Sequence, residues 1–289
     1  MQWISDSNIL IVGLGQIGGS YARALKHLGY YVSAIDRDRT AIDYATREGI
    51  IDEGSTEVDP ELVGSADAVI FCLYPGVLLS WIRHYQRYLK HGALLTDVTG
   101  VKRCTVYEIQ ELLRPDLEFI AAHPMAGRET DGVEHSDAEL FLGANYIITP
   151  TEQNSDEAIE WCASLGRLLG CRGFTVLSPE DHDDVVAQVS QLTHCIAVAL
   201  ITCGDGAHLA DCSGDSFRDL TRVALANDEL WSELLLRNKA ALLPQLDRFS
   251  RQLGTLRDLI SADDRDGLRA MLRYAAQRRE RFAQESGER

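Results

Sequence analysis

Two domains are predicted for this 289-residue chain. A doubly wound parallel α/β sheet should occupy residues 1–177, and an all-α domain residues 178–289. Three observations predict them. Short apolar runs alternate with amphipathic stretches in the first part, the pattern of strands joined by helical crossovers. The first apolar run leads directly into Gly13-Leu14-Gly15-Gln16-Ile17-Gly18, a G-x-G-x-x-G turn between strand and helix. After Leu177 no strand pattern remains, and apolar residues recur at helical spacing.

Asn8–Val12 (NILIV) reads as a buried strand, followed by the glycine turn and a helix from about Ile17 to Leu28. Tyr31–Ile35, Ala68–Leu73, Ala93–Thr96 and Phe119–Ala122 read as further strands, with helices over Val77–Leu89 and Val101–Leu113. Asn145–Thr149 and Phe174–Leu177 are later strands flanking a helix at Ser155–Leu169. Ser178-Pro179-Glu180-Asp181 is a helix start: a capping serine, proline at the first helical position, acids in the first turn. A broad apolar stripe follows from Val185 to Cys203. A long helix is predicted from about Asp228 to Ile260 with a kink at Pro244, and a last one from Ala262 to about Gln284. Helices apolar on more than one face predict a homodimer through the second domain.

Composition excludes several classes. Hydrophobic residues make up 45% of the chain, enough for a sizeable core. Acidic residues number 44 against 28 basic ones, a net charge of −16 that repels nucleic acid and anionic membrane surfaces. No run of about 18 uninterrupted apolar residues is present. Met1 to Ser7 lacks the basic character of a secretion signal. Seven scattered cysteines without a C-x-x-C predict free thiols in a reducing cytoplasm and no metal site.

The glycine turn makes the first domain Rossmann-type. Gly13 permits the tight turn, Gly15 leaves room for a pyrophosphate against the backbone, and Gly18 lets helix and strand pack closely. Asp36 ends the second strand, where a carboxylate accepts hydrogen bonds from the adenosine ribose and repels a 2′-phosphate. NAD is therefore expected over NADP, although Arg37 beside it is a cation able to pair with a 2′-phosphate. The expected cofactor residues are Gly13, Gly15, Gln16, Ile17, Gly18, Asp36, Arg37, Leu73 and Thr99.

A proton acceptor should accompany the dinucleotide, and histidine suits neutral pH. Of eight histidines, His27, His84 and His91 fall on polar helix faces, and His135 and His208 in polar loops. His182 sits among acids in a first turn, where it pairs with a carboxylate. His123 ends a strand of the sheet, in Ala121-Ala122-His123-Pro124-Met125-Ala126-Gly127-Arg128-Glu129, and ligands of open α/β sheets bind beyond such ends. Asp97-Val98-Thr99-Gly100-Val101-Lys102 ends another strand and should face the same crevice. His194 lies within the apolar stripe, where a lone histidine is more often a satisfied core residue than a ligand. Arg222 reads either as a surface arginine or as a bidentate carboxylate clamp.

The ordered segments GLGQIGGS, AIDRD, DVTGVK, AAHPMAGRE, SPEDHD, SQLTH, FRDLTRVA and ELW closely resemble the prephenate/arogenate dehydrogenase family of tyrosine biosynthesis, from Ile9 to about Phe249. The resemblance implies NAD-dependent oxidative decarboxylation of prephenate to 4-hydroxyphenylpyruvate, or of arogenate to tyrosine. A hydride leaves the ring carbon bearing the 4-hydroxyl, a histidine takes the hydroxyl proton, and the ring carboxylate departs as CO2. It implies that His123 is the catalytic histidine, that Arg222 binds a substrate carboxylate, and that His194 contacts the substrate side chain. Glu129 matches an acid gating the site, and Trp231 lies in a motif near the pocket. Where many relatives have a serine that orients the histidine, this chain has Gly100, so Thr99 is expected to supply the hydroxyl. Gln191 stands where some relatives have a histidine near the substrate side chain. No ACT domain or fused mutase is expected, so inhibition by tyrosine would be competition at the active site. Two other readings compete. A 3-hydroxyacid-type dehydrogenase needs a catalytic lysine, for which Lys239 is the lone candidate after Lys102. A non-catalytic NAD sensor predicts binding without turnover.

Overall fold

The computed structural model describes residues 7–204 and 206–286. In the first part the elements run β1 (Asn8–Val12), α1 (Gln16–His27), β2 (Tyr31–Ile35), α2 (Arg39–Arg47), β3 (Glu53–Ser55), α3 (Pro60–Ser65), β4 (Ala68–Phe71), α4 (Pro75–Tyr85), β5 (Leu94–Asp97), α5 (Val106–Leu112), β6 (Glu118–Pro124), β7 (Asn145–Thr149), α6 (Asp156–Leu168) and β8 (Gly173–Val176). They build one eight-stranded sheet in the order β3-β2-β1-β4-β5-β6-β7-β8. The pairings are parallel except β6 with β7, so β7 and β8 run against the rest. The sheet is therefore doubly wound and mostly parallel, with a reversed edge. Two apolar layers cover its faces. One joins Ile9, Ile11, Tyr21 and Leu25 to Tyr146 and Trp161; the other joins Leu10, Phe71, Leu78, Trp81 and Phe119.

Strands buried on both faces read as unbroken apolar runs, which is why β1, β2 and β4 are legible. Polar α2 and three-residue β3 carry no such signal, and α3 is one short turn after the capping Asp59. The helix predicted over Val101–Leu113 begins only at Val106, because Thr99 and Lys102 are turned inward onto Asp97.

Ser178 caps α7 (Pro179–Val186) by accepting from the Asp181 N–H at 3.0 Å. The helix continues through a π-turn at Ala187–Gln191 into α8 (Leu192–Thr202). By length and composition Pro179–Thr202 is apolar enough to cross a membrane, yet it carries Gln188, Ser190, Gln191, Thr193 and His194. Then come α9 (Leu209–Cys212), α10 (Asp215–Thr221), a 3-10 turn at Arg222–Ala224 and α11 (Asp228–Arg237). The long helix predicted from Asp228 breaks at Asn238, six residues before Pro244. The buried Asn238 side chain donates to Gln191 Oε1 at 2.8 Å and to the Asp183 carbonyl at 2.9 Å, turning the chain before α12 (Lys239–Ser261). The last helix is α13 (Arg265–Ser286).

By compactness the chain divides into Met1–Lys239 and Ala240–Arg289. The first unit thus runs past the boundary expected at Ser178. Val186 and Ala187 are buried, and the Asp183 carboxylate accepts from the backbone of Lys102 and Arg103 at 2.8 and 3.0 Å. The second unit is helical, with Leu253, Ile260, Leu272, Tyr274 and Phe282 exposed.

Candidate active site

The β1–α1 turn is shaped by its glycines. Gly13 has φ +96°, and a Cβ there would meet the Cys72 carbonyl oxygen at 2.4 Å. A Cβ on Gly18 would lie 1.9 Å from the Gly13 oxygen. Only glycine fits either position. At Gly15 an added Cβ would stand in open space on the cavity side. Asp36, at the end of β2, accepts from Leu14 N at 2.6 Å and from Asp38 N at 2.8 Å. Each carboxylate oxygen keeps a further lone pair.

A cavity of about 700 Å3 opens at the carboxyl ends of the strands. Of the residues singled out from sequence, Gly15, Gln16, Ile17, Gly18, Leu73, Thr99, Gly100, His123, Glu129, His194 and Arg222 line it together. Trp231 lines it as well, stacked on His194 with ring centroids 3.4 Å apart. Gly13 lies beneath the turn, its N–H donating to the Ile35 carbonyl at 2.8 Å. Asp36 and exposed Arg37 stand outside the cavity lining.

His123 sits near the end of β6, past the point where β5 stops pairing at Thr96↔Ile120, and is supported on the other side by Ile147 of β7. Its Nδ1 lies 2.9 Å from His182 Nε2, and His182 Nδ1 lies 2.8 Å from Asp183 Oδ1. This chain fixes the tautomers. Asp183 already accepts two backbone N–H groups, so it is an acceptor and His182 carries its proton on Nδ1. His182 Nε2 is then bare and accepts from His123 Nδ1–H. The basic nitrogen of His123 is Nε2, on a ring that lines the cavity. Burial, then the neighbouring His182 and Lys102, hold His123 well below the ordinary imidazole value. Burial also lowers His182.

The orienting partner of His123 is thus His182, in place of the expected Thr99. The Thr99 hydroxyl is engaged by Asp97 and by the Val101 carbonyl at 2.9 Å. Asp97 also takes both hydrogen bonds of a fully buried ion pair with Lys102, at 2.7 and 2.8 Å, and Lys102 Nζ reaches the Ala122 carbonyl at 2.5 Å. Thr99 therefore belongs to a knot that ties β5 to β6 directly before His123. Gln191 is a second correction. Its side chain is buried against Asn238 and the Leu234 carbonyl, away from the cavity, while Ser190 and His194 on either side of it line the cavity.

On the opposite wall Arg222 pairs with Glu129. His194 Nδ1 lies 2.9 Å from the Ser190 carbonyl, which leaves its Nε2 as the free ring nitrogen. Sequence reasoning missed that His182 and Asp183 belong to this site. The adjacent His-Asp pair in the first turn of α7 was the available signal. Its target, His123, is 59 residues away. Among the described residues no cluster suited to a metal ion is present.

The chain is similar to known proteins in sequence and in fold. Residues 21–175 match the family model described as prephenate dehydrogenase, nucleotide-binding domain, and residues 178–274 match prephenate dehydrogenase, dimerization domain. The chain is 34% identical over 269 residues to the cyclohexadienyl dehydrogenase of Zymomonas mobilis, covering 90% of this chain and 91% of that one. It is 30% identical over 271 residues to the prephenate dehydrogenase of Bacillus subtilis, covering 90% and 72%. The fold matches the prephenate dehydrogenase of Aquifex aeolicus solved with hydroxyphenyl propionate and NAD+ at a TM-score of 0.88 and 29% identity, over 97% of this chain and 100% of that one.

Proposed function

The chain belongs to the prephenate dehydrogenase family, and from that premise and the cavity's geometry we infer that it oxidises and decarboxylates prephenate, with NAD+ as cofactor. The observation that carries this reading is the Asp183–His182–His123 chain, which presents a neutral imidazole base in the cavity that the glycine turn shares.

The turn fits a dinucleotide. The open space at Gly15 is what a pyrophosphate against the backbone requires, and α1 begins there with free N–H groups and no side-chain cap. Asp36 has lone pairs left for ribose hydroxyls, which supports NAD over NADP. NAD+ held there supplies the hydride acceptor. The protein's own residues do the rest. His123 Nε2 takes the proton of the substrate's 4-hydroxyl as the carbonyl forms. Arg222, steadied at one nitrogen by Glu129, turns its remaining N–H groups to a substrate carboxylate and fixes the ring. His194, held flat by Trp231, faces the side chain. Loss of CO2 leaves the ring aromatic, and His123 returns the proton to the phenolate oxygen, giving 4-hydroxyphenylpyruvate.

The test is absorbance at 340 nm with NAD+ or NADP+ and prephenate or arogenate. NADH formation with prephenate is expected. Turnover of arogenate alone would move the assignment to that substrate, and silence in all four mixtures would refute it. The acid limb of kcat/KM is expected below pH 6.5, because His123 stays neutral there. Stability follows the same sign. His123, His182 and His194 all protonate less readily than ordinary imidazoles, so below about pH 6.5 the unfolded chain binds more protons. The contribution of these three histidines to stability is full above that pH and falls as pH drops toward the lowered values.

A homodimer is part of the same reading. It is supported by the exposed apolar residues of α12 and α13 and by the description of the matched C-terminal family model. A single 32.1 kDa species in sedimentation at micromolar concentration would remove it. Inhibition by tyrosine, if it occurs in this cavity, raises the apparent KM and leaves kcat unchanged.

A further inference from the structure

The side chain of Gln16 has no free hydrogen to offer a pyrophosphate. Its Nε2 donates to the Thr130 carbonyl at 2.7 Å and to Thr130 Oγ1 at 2.6 Å, and its Oε1 accepts from Arg128 N at 2.9 Å. A backbone N–H can only donate and a carbonyl can only accept, so the amide orientation is forced. Phosphate oxygens accept, and both donors of Gln16 are spent. Its backbone, at the first turn of α1, is what a dinucleotide would meet; its side chain points to another task.

That task is visible in what else the 127–137 segment touches. Ser20 Oγ accepts from Asp137 N at 3.0 Å, and Arg23 Nε donates to Ser136 Oγ at 2.8 Å. A Cβ on Gly19 would strike Ser136 at 2.7 Å. Positions 16, 19, 20 and 23 form one face of a helix. The segment after His123 is thus laid along a single stripe of the cofactor helix, with Gln16 as its end nearest the glycine turn. The other side of the same loop holds the substrate wall. Glu129 pairs with Arg222, and Asp131 accepts from Asn227 Nδ2 at 3.1 Å.

We propose that Gln16 couples the two binding events: its side chain carries the ordering of the Gly15–Gly18 turn into the 128–131 loop, which positions Arg222 through Glu129. Gln16 is a positioning residue, and the link rests on the NAD+-binding reading above. A dinucleotide that orders the turn orders the loop at no further cost, so substrate binds tighter to the loaded protein. By reciprocity the substrate tightens the cofactor by the same factor.

The experiment uses the full chain and reads two quantities. Hydrogen exchange at the amides of Arg128 and Glu129 is measured with and without NAD+. Affinity for 3-(4-hydroxyphenyl)propionate is measured by calorimetry in both states. In the unaltered protein NAD+ should slow exchange at both amides, and should tighten the acid by about tenfold. Gln16→Ala should keep the NAD+ affinity within about threefold, since the backbone contacts remain, and should abolish both effects. Gln16→Met keeps the length without the hydrogen bonds and should behave like Gln16→Ala. Unchanged exchange in β1 verifies that each variant is folded. Either variant retaining the NAD+-dependent slowing overturns the proposal. If the acid binds neither protein, the substrate reading fails while the exchange data still decide the link. Absence of NAD+ binding overturns both.

Discussion

The two walls of the cavity are built in opposite ways. On the sheet side, Lys102 and Asp97 have fully buried side chains, and Asp183 and His182 are buried behind His123. On the other side, the side chains of Arg222 and Glu129 are 60% and 30% exposed. Breaking a buried pair by removing one partner costs about 3–5 kcal/mol, whereas an exposed pair contributes about 0–1 kcal/mol. On the proposed function, the difference separates two chemical tasks. A proton acceptor must hold one tautomer and one orientation, so it is tied down. A carboxylate clamp must meet a ligand that comes and goes, so it stands in the open and its pair with Glu129 is weak.

The sharpest break of that comparison is at the base itself. His123→Asn should leave NAD+ binding intact and lower kcat by about 10²–10⁴; near-normal turnover would end the assignment. Next comes the residue behind it. In Asp183→Asn an amide replaces an acceptor-only carboxylate that serves Lys102 N, Arg103 N and His182. If the amide donates to His182 Nδ1, both imidazoles reverse and His123 Nε2 carries the proton. We expect kcat to fall by about 10² with KM little changed, measured by steady-state kinetics. A kcat within a factor of two would show that the rigid wall is not what orients His123.

The open wall should respond differently. Arg222→Ala should raise KM for the substrate by about 10- to 100-fold, the loss of one charge-assisted contact, with kcat changing less. A fall in kcat at constant KM would mean that Arg222 acts in the transition state instead. The smallest effect is expected at Gly100. A Cβ there meets Leu234 at 3.5 Å and His123 Cε1 at 3.7 Å, ordinary contact distances. Gly100→Ser should therefore fold normally and keep kcat within about threefold, because His182 already occupies the orienting role. A larger gain would show that a serine here adds something His182 does not supply.

What was legible in the sequence follows the range of the forces involved. The β1–α1–β2 unit is local, and its apolar runs and glycines state it outright. His123 and Arg222 were found through motifs, and the fold brings them to one cavity. Thr99 lines the cavity, but its hydroxyl does not face outward as its neighbours in sequence suggest. Asp97, two residues before it, turns it in. His182 was read as paired with a carboxylate, and it is. Its second face meets a residue from another element, which no local pattern encodes. Gln191 is held off the cavity by Asn238 and the Leu234 carbonyl, partners that are likewise distant in sequence.

The helix that carries His182 and His194 contains a π-turn at Ala187–Gln191. At about 100° per residue, His182 and His194, twelve positions apart, would point about 120° away from each other on an unbroken α-helix. One extra residue in the π-turn absorbs a step and leaves them about 20° apart. The π-turn thus acts as one residue more than an ordinary α-helix of the same reach would hold. His182 and His194 belong to different registers that the π-turn brings into line. Deleting one residue between them should be worse than substituting any of them, because every side chain beyond the deletion would be re-aimed at once.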